Sequence, residues 1–454
     1  MVAASHRQPY DGPEPDACLI GGSMARHFAF VPLAAHGHVN PTLALAGELV
    51  SRGHRVTYAT SADHAPAVAR TGAAVVELPW KAELSAMAGS GYTAGNMLAM
   101  MAAGVTELTE TFDALVAAFS EDRPDCVCFD IMGLPGRALA DRLGVPGVAL
   151  APNMVGNAHF SLQSVMWPAD LSPSDPRLAA IGRALASFAA EQGISPASVQ
   201  PLSARVPLHL VFVPRAFQIA GDTFGPEFRF LGPSLPPPVP TPPRAPASAG
   251  PAAPAAPATP AAPAAPAAAP AAGWRPRTHD RIVLISLGTV FNDRPDLLRI
   301  CLDAFADSPW HVVLATGRSA VPGPFPANIE VHRHVPQLEV LRHASVFVSH
   351  TGMGSTMEAL LHGVPLVSVP QTPEQALNGR RAAELGLGLA LETEKMTADM
   401  LRDAVEDVVA DAGIAANLRR WRDMLGAAGG AQAGAVALEE FLDLRTTANR
   451  KVTR

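Results

Sequence analysis

Residues His334–Asn378 read HVPQLEVLRHASVFVSHTGMGSTMEALLHGVPLVSVPQTPEQALN. The short apolar run Val346-Phe347-Val348-Ser349 suits a buried strand of a parallel sheet. It stops at His350-Thr351-Gly352-Met353-Gly354, and a helical pattern starts at Ser355. Strand, glycine turn and helix N-terminus together make an anion site, because the first-turn N–H groups are free and the helix dipole favours phosphate. Gly352 and Gly354 let a ligand approach the backbone. Ser355 and Thr356 bring hydroxyls able to cap the helix. Glu358, about one turn in, places a carboxylate near the same mouth, where sugar hydroxyls can donate to it. Such units recur throughout α/β proteins, so the glycine turn alone does not separate phosphate binding from plain architecture.

The rest of the chain repeats this alternation. Strand patterns at His27–Leu33, Arg55–Ala59 and Ala74–Leu78 flank a helix whose expected cap is Asn40, with Pro41 in its first position. A helical stretch from Asn96 to Phe119, with Asn96 as its cap, leads to a strand at Asp125–Phe129 that ends at Asp130. A helix at Leu134–Leu143 and a strand at Gly147–Leu150 follow. Between 235 and 273 the sequence is almost entirely Pro and Ala, which cannot bury a core and reads as an extended spacer. The alternation restarts at Ile282–Ser286 and ends in a helical stretch over 397–445. The expected organisation is a disordered extension over 1–24, a first α/β domain over 25–234, the linker over 235–273, and a second α/β domain with C-terminal helices over 274–454. Two doubly wound α/β domains would face each other across a cleft at the carboxyl ends of their strands.

Length and composition agree with this. The 454 residues suffice for two cores, and 48% hydrophobic with 17% charged residues fits a globular chain. A net charge of −7 disfavours nucleic acid as a partner. No apolar run is long enough to span a bilayer, so no stable membrane insertion is expected. The four cysteines form no disulfide or metal pattern, which fits a reducing cytoplasm. The N-terminus lacks a signal-peptide pattern. Met24, just ahead of the first strand, leaves two readings of the preceding segment, an extension or a misassigned start.

Chemistry gathers at the strand ends. The turn after the first strand is Ala34-Ala35-His36-Gly37-His38-Val39-Asn40. Imidazole is the natural base for a hydroxyl proton near neutral pH, and it needs an acceptor to orient its other nitrogen. Asp130, at the end of another parallel strand, supplies one, giving a hydroxyl–His–Asp relay. No Asp-x-Asp motif and no metal-ligand spacing is present, so no metal site and no cofactor is expected.

The long pattern His334-Val-Pro-Gln337, His350-x-Gly-x-x-Ser-Thr-x-Glu358, Gly363-Val-Pro365 and Pro370-x-x-x-Glu374-Gln375-x-x-Asn378 resembles the donor signature of nucleotide-sugar glycosyltransferases with the GT-B fold. The bacterial branch that glycosylates macrolides and other small aglycones is the nearest in look. The resemblance implies His38, which follows a glycine and lies three residues before Pro41, as the base, with Asp130 as its support and His36 beside the acceptor mouth. It implies donor contacts from Thr289, His350, Gly352, Gly354, Ser355 and Thr356 to phosphates, and from Glu358 to the ribose. Gln337 and the Val335 backbone would border the base, and Glu374 and Gln375 would hold sugar hydroxyls. Two departures stand out: His334 replaces a stacking Trp, and Glu374 replaces a shorter Asp.

The combined expectation is an inverting, metal-independent transfer of a sugar, glucose foremost, from a UDP- or dTDP-sugar to a hydroxyl of a hydrophobic small molecule such as a macrolide, another polyketide or a polyphenol. The acceptor would lie against residues 80–120 and 154–200. A non-catalytic auxiliary protein and a nucleotide-sugar epimerase are the alternatives on the same fold. A dinucleotide oxidoreductase is disfavoured because Met357 stands at the third glycine of its fingerprint.

Overall fold

In the computed structural model, residues 25–80, 92–200, 206–235, 274–276, 281–288 and 293–452 are described. The expected extension over 1–24, all of the 235–273 linker beyond Leu235, and Thr289 lie outside them. The first half holds strands β1 (His27–Val31), β2 (Arg55–Thr60), β3 (Ala74–Glu77), β4 (Cys126–Asp130), β5 (Gly147–Ala151), β6 (His209–Val211) and β7 (Phe228–Phe230). Helices α1 (His36–Ser51), α2 (Ala65–Ala69), α3 (Ala94–Ser120), α4 (Leu134–Leu143), α5 (Leu162–Met166) and α6 (Pro176–Gln192) connect them. All neighbouring strands pair parallel, in the order β3-β2-β1-β4-β5-β6-β7. Helices cover both faces of such a sheet, which is why β1 and β4 are buried along their whole length.

The second half holds β8 (Ile282–Ser286), β9 (His311–Ala315), β10 (Ile329–His332), β11 (Val346–Ser349), β12 (Leu366–Ser368) and β13 (Gly388–Ala390). Its helices are α7 (Pro295–Phe305), α8 (Gln337–Leu341), α9 (Met353–His362), α10 (Pro373–Glu384), α11 (Ala398–Ala410), α12 (Ala412–Gly426) and α13 (Gly430–Val452). Its strands form a second parallel sheet in the order β10-β9-β8-β11-β12-β13.

Both orders reverse direction once in the same way. In the first sheet the reversal lies between β1 and β4, where Val31 pairs with Phe129. In the second it lies between β8 and β11, where Ser286 pairs with Ser349. Ligands of doubly wound sheets bind at such switch points, beyond the strands' carboxyl ends. The residues following Val31 and Phe129, and those following Ser286 and Ser349, therefore project into the space between the domains.

Three local expectations change. Helix α1 begins at His36 on an Ala35 cap, so His38 lies in the first helical turn and Pro41 lies inside the helix. Pro41 removes the bond to the Gly37 carbonyl, and Gly37 is exposed, so water can serve that carbonyl. Helix α3 is capped by the Thr93 hydroxyl, which accepts from the Asn96 amide, so Asn96 receives the cap instead of providing it. The last helix does not stay with the second domain. Ala435, Leu438 and Leu442 of α13 join the core of the first, together with Leu45 and Leu49 of α1. Glu439 fixes that return by accepting from Arg52 at 3.0 Å and pairing with His54 at 2.9 Å. The domains also share buried apolar surface, since Met154, Leu162 and Phe217 belong to the same cluster as the second sheet.

Candidate active site

Between the two sheets lies a cleft of about 2380 Å³, reached from both switch points. On the first-domain wall, His38 Nδ1 lies 2.6 Å from Asp130 Oδ2. Asp130 is 1% exposed, and its other oxygen accepts from the Met132 amide at 2.7 Å. An ionised carboxylate only accepts, so Nδ1 carries the proton and the Nε2 lone pair is left for the cleft, which His38 lines. Burial alone would lower the His38 pKa. The charge and hydrogen bond of Asp130, helped by Glu374, outweigh it and raise the value above the ordinary 6.5. His36 is exposed at the same mouth, edge-on to the His64 ring with centroids 4.6 Å apart.

On the opposite wall, α9 begins at Met353 with Gly352 as its cap. The expected start at Ser355 is two residues late. No side chain caps this helix, which leaves the amides of Met353, Gly354 and Ser355 without an intrahelical partner at the cleft. The turn before it carries a left-handed residue that is not glycine: Thr351 has φ 58. A β-branched residue there is strained. It is held by hydrogen bonds from its hydroxyl group to the His350 and Gln375 carbonyls at 2.7 and 2.9 Å and by contact with the Ser368 hydroxyl at 2.7 Å. Nothing in the sequence marks Thr351 for this; the glycine beside it has an ordinary φ.

The His350 ring packs between two glycines. A Cβ at Gly288 would come within 2.8 Å of its Nε2, and one at Gly352 within 2.5 Å. Burial drives its pKa down to about 4, so the ring is neutral near pH 7. A neutral ring can give a ligand in the cleft an N–H donor but no positive charge.

Glu358 and Gln337 act together. Gln337 Nε2 donates to Glu358 Oε2 at 2.6 Å and to Ser355 Oγ at 3.0 Å. Burial raises the Glu358 pKa, and the Gln337 bond partly opposes this. Gln337 thus orients Glu358 as well as bordering the cleft beside Val335 and the exposed His334. Ser355 lines the cleft. Thr356 does not: it is fully buried, and both its amide and its hydroxyl donate to the Gly352 carbonyl, at 3.0 and 3.1 Å. The helical turn points it into the core, which corrects the expected phosphate contact.

Glu374 and Gln375 open α10 and line the cleft. The Gln375 side-chain Oε1 accepts from the Gln371 backbone N–H at 2.8 Å, which turns its NH2 group away from that bond. Glu374 Oε1 accepts from Asn378 and, across the cleft, from Asn153, both at 2.6 Å. Asn378 follows Glu374 by four residues on one helix, a spacing readable from sequence; Asn153 was not singled out by it. The part of the cleft expected to take the acceptor is lined by Trp80, Tyr92, Met97, Met100, Met154 and Met166. Residues 167–200, expected there too, line none of it; α6 packs its Phe188 against Phe112 of α3 instead.

Residues 257–422 match the family described as UDP-glucoronosyl and UDP-glucosyl transferase. An NDP-glycosyltransferase of Bacillus licheniformis is 35% identical over 92% of this chain and 98% of its own length. The oleandomycin glycosyltransferase of Streptomyces antibioticus is 34% identical over 92% of this chain and 91% of its own. Among solved structures, the calicheamicin glycosyltransferase superposes with a TM-score of 0.72 at 31% identity, covering 92% of this chain and 98% of that one. With two such domains and a histidine–aspartate pair facing a helix N-terminus across their cleft, the chain belongs to the UDP-glucoronosyl and UDP-glucosyl transferase family of the GT-B fold, and is similar to bacterial macrolide glycosyltransferases.

Proposed function

We propose that the protein moves a sugar, glucose foremost, from a UDP- or dTDP-sugar to a hydroxyl of a hydrophobic small molecule, with inversion at the anomeric carbon. The observation that carries this is the His38–Asp130 pair at 2.6 Å, its free nitrogen turned to a cleft whose far wall is the N-terminus of α9. His38 Nε2 takes the acceptor hydroxyl proton. The oxygen so freed attacks the anomeric carbon, and the bond from that carbon to the diphosphate oxygen breaks with its electron pair going to the diphosphate. One base and one displacement without an enzyme nucleophile invert the centre. Asp130 holds the imidazole in the required tautomer and stabilises the imidazolium that forms. The free α9 amides and the His350 N–H face the leaving diphosphate, and fixed dipoles of this kind stabilise developing charge without reorganising.

The methionines, Trp80 and Tyr92 of the acceptor wall supply an apolar, adaptable surface, which supports a polyketide or polyphenol acceptor. Relatives that glycosylate oleandomycin and calicheamicin point the same way. We expect no divalent cation to be required, and we place the reaction in the cytoplasm; no described helix is long and apolar enough to cross a membrane.

A mass-spectrometric screen of UDP- and dTDP-sugars against macrolide, polyketide and polyphenol acceptors tests the reading. A glycosylated product with an inverted anomeric centre is expected, with EDTA leaving the rate unchanged. Activity lost in EDTA and restored by Mg²⁺ overturns the metal-independent mechanism. Turnover of the sugar nucleotide to an epimer, with no acceptor product, overturns the transferase reading.

A further inference from the structure

We propose that Asn153 is a positioning residue of the acceptor domain that aims the Glu374 carboxylate of the donor domain at the donor sugar, so that sugar recognition is complete only when the two domains are clasped. This rests on the donor reading given above.

Asn153 stands just beyond the carboxyl end of β5, two residues after Ala151. Its side chain is fixed at both ends. Oδ1 accepts from the Met154 amide at 2.8 Å, and Nδ2 donates to Glu374 Oε1 at 2.6 Å. A flipped amide would set its carbonyl against the Glu374 carboxylate and its NH2 against the Met154 N–H, so the observed orientation is the only one that satisfies both partners. Asn378 donates to the same Oε1 at 2.6 Å. Two amide donors, one from each domain, therefore share a single oxygen. Oε2 has no partner among the described residues, and Glu374 lines the cleft.

The terminal torsion of a glutamate is broad, and a carboxylate held by one amide can turn about it. Two short, charge-assisted bonds to one oxygen fix the plane and commit the other oxygen to a ligand. Asn378, on the same helix, provides one of these whatever the domains do. Asn153 provides the other only at this domain separation. The neighbourhood is built to hold that separation: Arg381, also on α10, donates to the Ala216 and Phe217 carbonyls of the first domain at 3.1 and 3.0 Å. Burial raises the Glu374 pKa, the Asn153 and Asn378 bonds and the facing His38 oppose that rise, and Glu374 in turn favours the charged form of His38. The clasp thus sets the sugar's carboxylate and the acceptor's base in one frame.

The test uses the full-length protein with Asn153→Ala and Asn153→Asp. The second keeps an oxygen for the Met154 amide, removes the donor to Glu374 and sets a like charge against that carboxylate, so it breaks the clasp even if the alanine variant folds poorly. Calorimetric titrations compare UDP with UDP-glucose, and dTDP with dTDP-glucose. The expected result is nucleoside diphosphate affinity within about twofold of wild type, nucleotide-sugar affinity weakened roughly tenfold, and kcat/KM for the donor lowered by at least as much. Equal losses for both ligand types would show a merely structural residue, and unchanged nucleotide-sugar affinity would show no role in sugar recognition; either overturns the proposal. A wild type that binds UDP-glucose tightly but glycosylates no acceptor defeats the transferase reading alone. A wild type that binds neither nucleotide sugar defeats both.

Discussion

The two walls of the cleft are built at equivalent points of two similar sheets, yet they work by opposite electrostatics. On the first-domain wall, at the β1/β4 switch, two ionisable side chains meet, and the buried carboxylate pulls its histidine toward the charged form. On the second-domain wall, at the β8/β11 switch, burial keeps His350 neutral and raises the Glu358 pKa, and the groups left open at the cleft are backbone amides. In the mechanism we propose, the base gains a full positive charge during the reaction, and a paired anion serves it. In the same proposal the donor wall meets a ligand that brings its own negative charge, and neutral N–H groups suit it without having to be charged first. One fold supports both because a switch point fixes only where residues emerge, not what they are.

The sharpest way to break the contrast is to remove the base. His38→Ala should lower kcat by about 10³-fold or more while nucleotide binding stays as in wild type. Full activity would sink the assignment of the base. Asp130→Asn should cost less, about 10²-fold, because the imidazole remains but loses its anion and its fixed tautomer. The pH profile separates the two roles. A base works when unprotonated, so in wild type kcat/KM should fall as pH drops through a His38 pKa lying above the ordinary 6.5. With Asp130 neutralised, burial is left as the leading influence, and that acid limb should move to lower pH. A limb that stays put would show that another group controls it.

The unequal legibility of the two walls follows from how each is assembled. The donor wall is one contiguous stretch, and its strand, turn and helix could be read from local pattern. Its errors were local too: the helix began two residues early, at Met353, because Gly352 serves as the cap without any side-chain oxygen. The base wall joins residues 92 apart, and pairing His38 with Asp130 required only that both follow strands of one parallel sheet. The helix boundary there lies ahead of the strong local start signal Asn40-Pro41, because exposed Gly37 lets water serve the carbonyl that Pro41 leaves unpaired inside α1. Asn153 and the return of α13 to the first domain depend on how the domains pack, which no local pattern encodes. Thr351 is held in its strained conformation by five neighbouring hydrogen bonds, among them its amide to the Ser349 hydroxyl at 3.0 Å and Asn378 to its carbonyl at 3.1 Å.

On the donor wall the expected effects are smaller, because several groups share the diphosphate. Gly352→Ala puts a methyl group where the His350 ring now lies and leaves the chain conformation permissible, since Gly352 has φ −58. The ring must move, and donor KM should rise roughly tenfold with little change in the pH profile, because neither His38 nor Asp130 is touched. A shifted acid limb in this variant would mean that the two walls share a titrating group, and the contrast between them would fail.

Thr356→Val is the smallest effect and the cleanest check on which groups face the ligand. Valine keeps the shape of the side chain and loses one hydrogen bond to the Gly352 carbonyl, which the Thr356 amide still serves at 3.0 Å. The cost should be about 1 kcal/mol of stability, seen as a lower melting temperature, with donor KM changed by less than about twofold. Ser355→Ala, one residue earlier, should behave the other way, because Ser355 lines the cleft and its Oγ accepts from Gln337. It should raise donor KM by about three- to tenfold at little cost in stability. If Thr356→Val instead weakened the donor as much as Ser355→Ala, the first turn of α9 would have to rotate on binding so that the buried hydroxyl reached phosphate, and the donor wall would not be the preformed surface that its free amides imply.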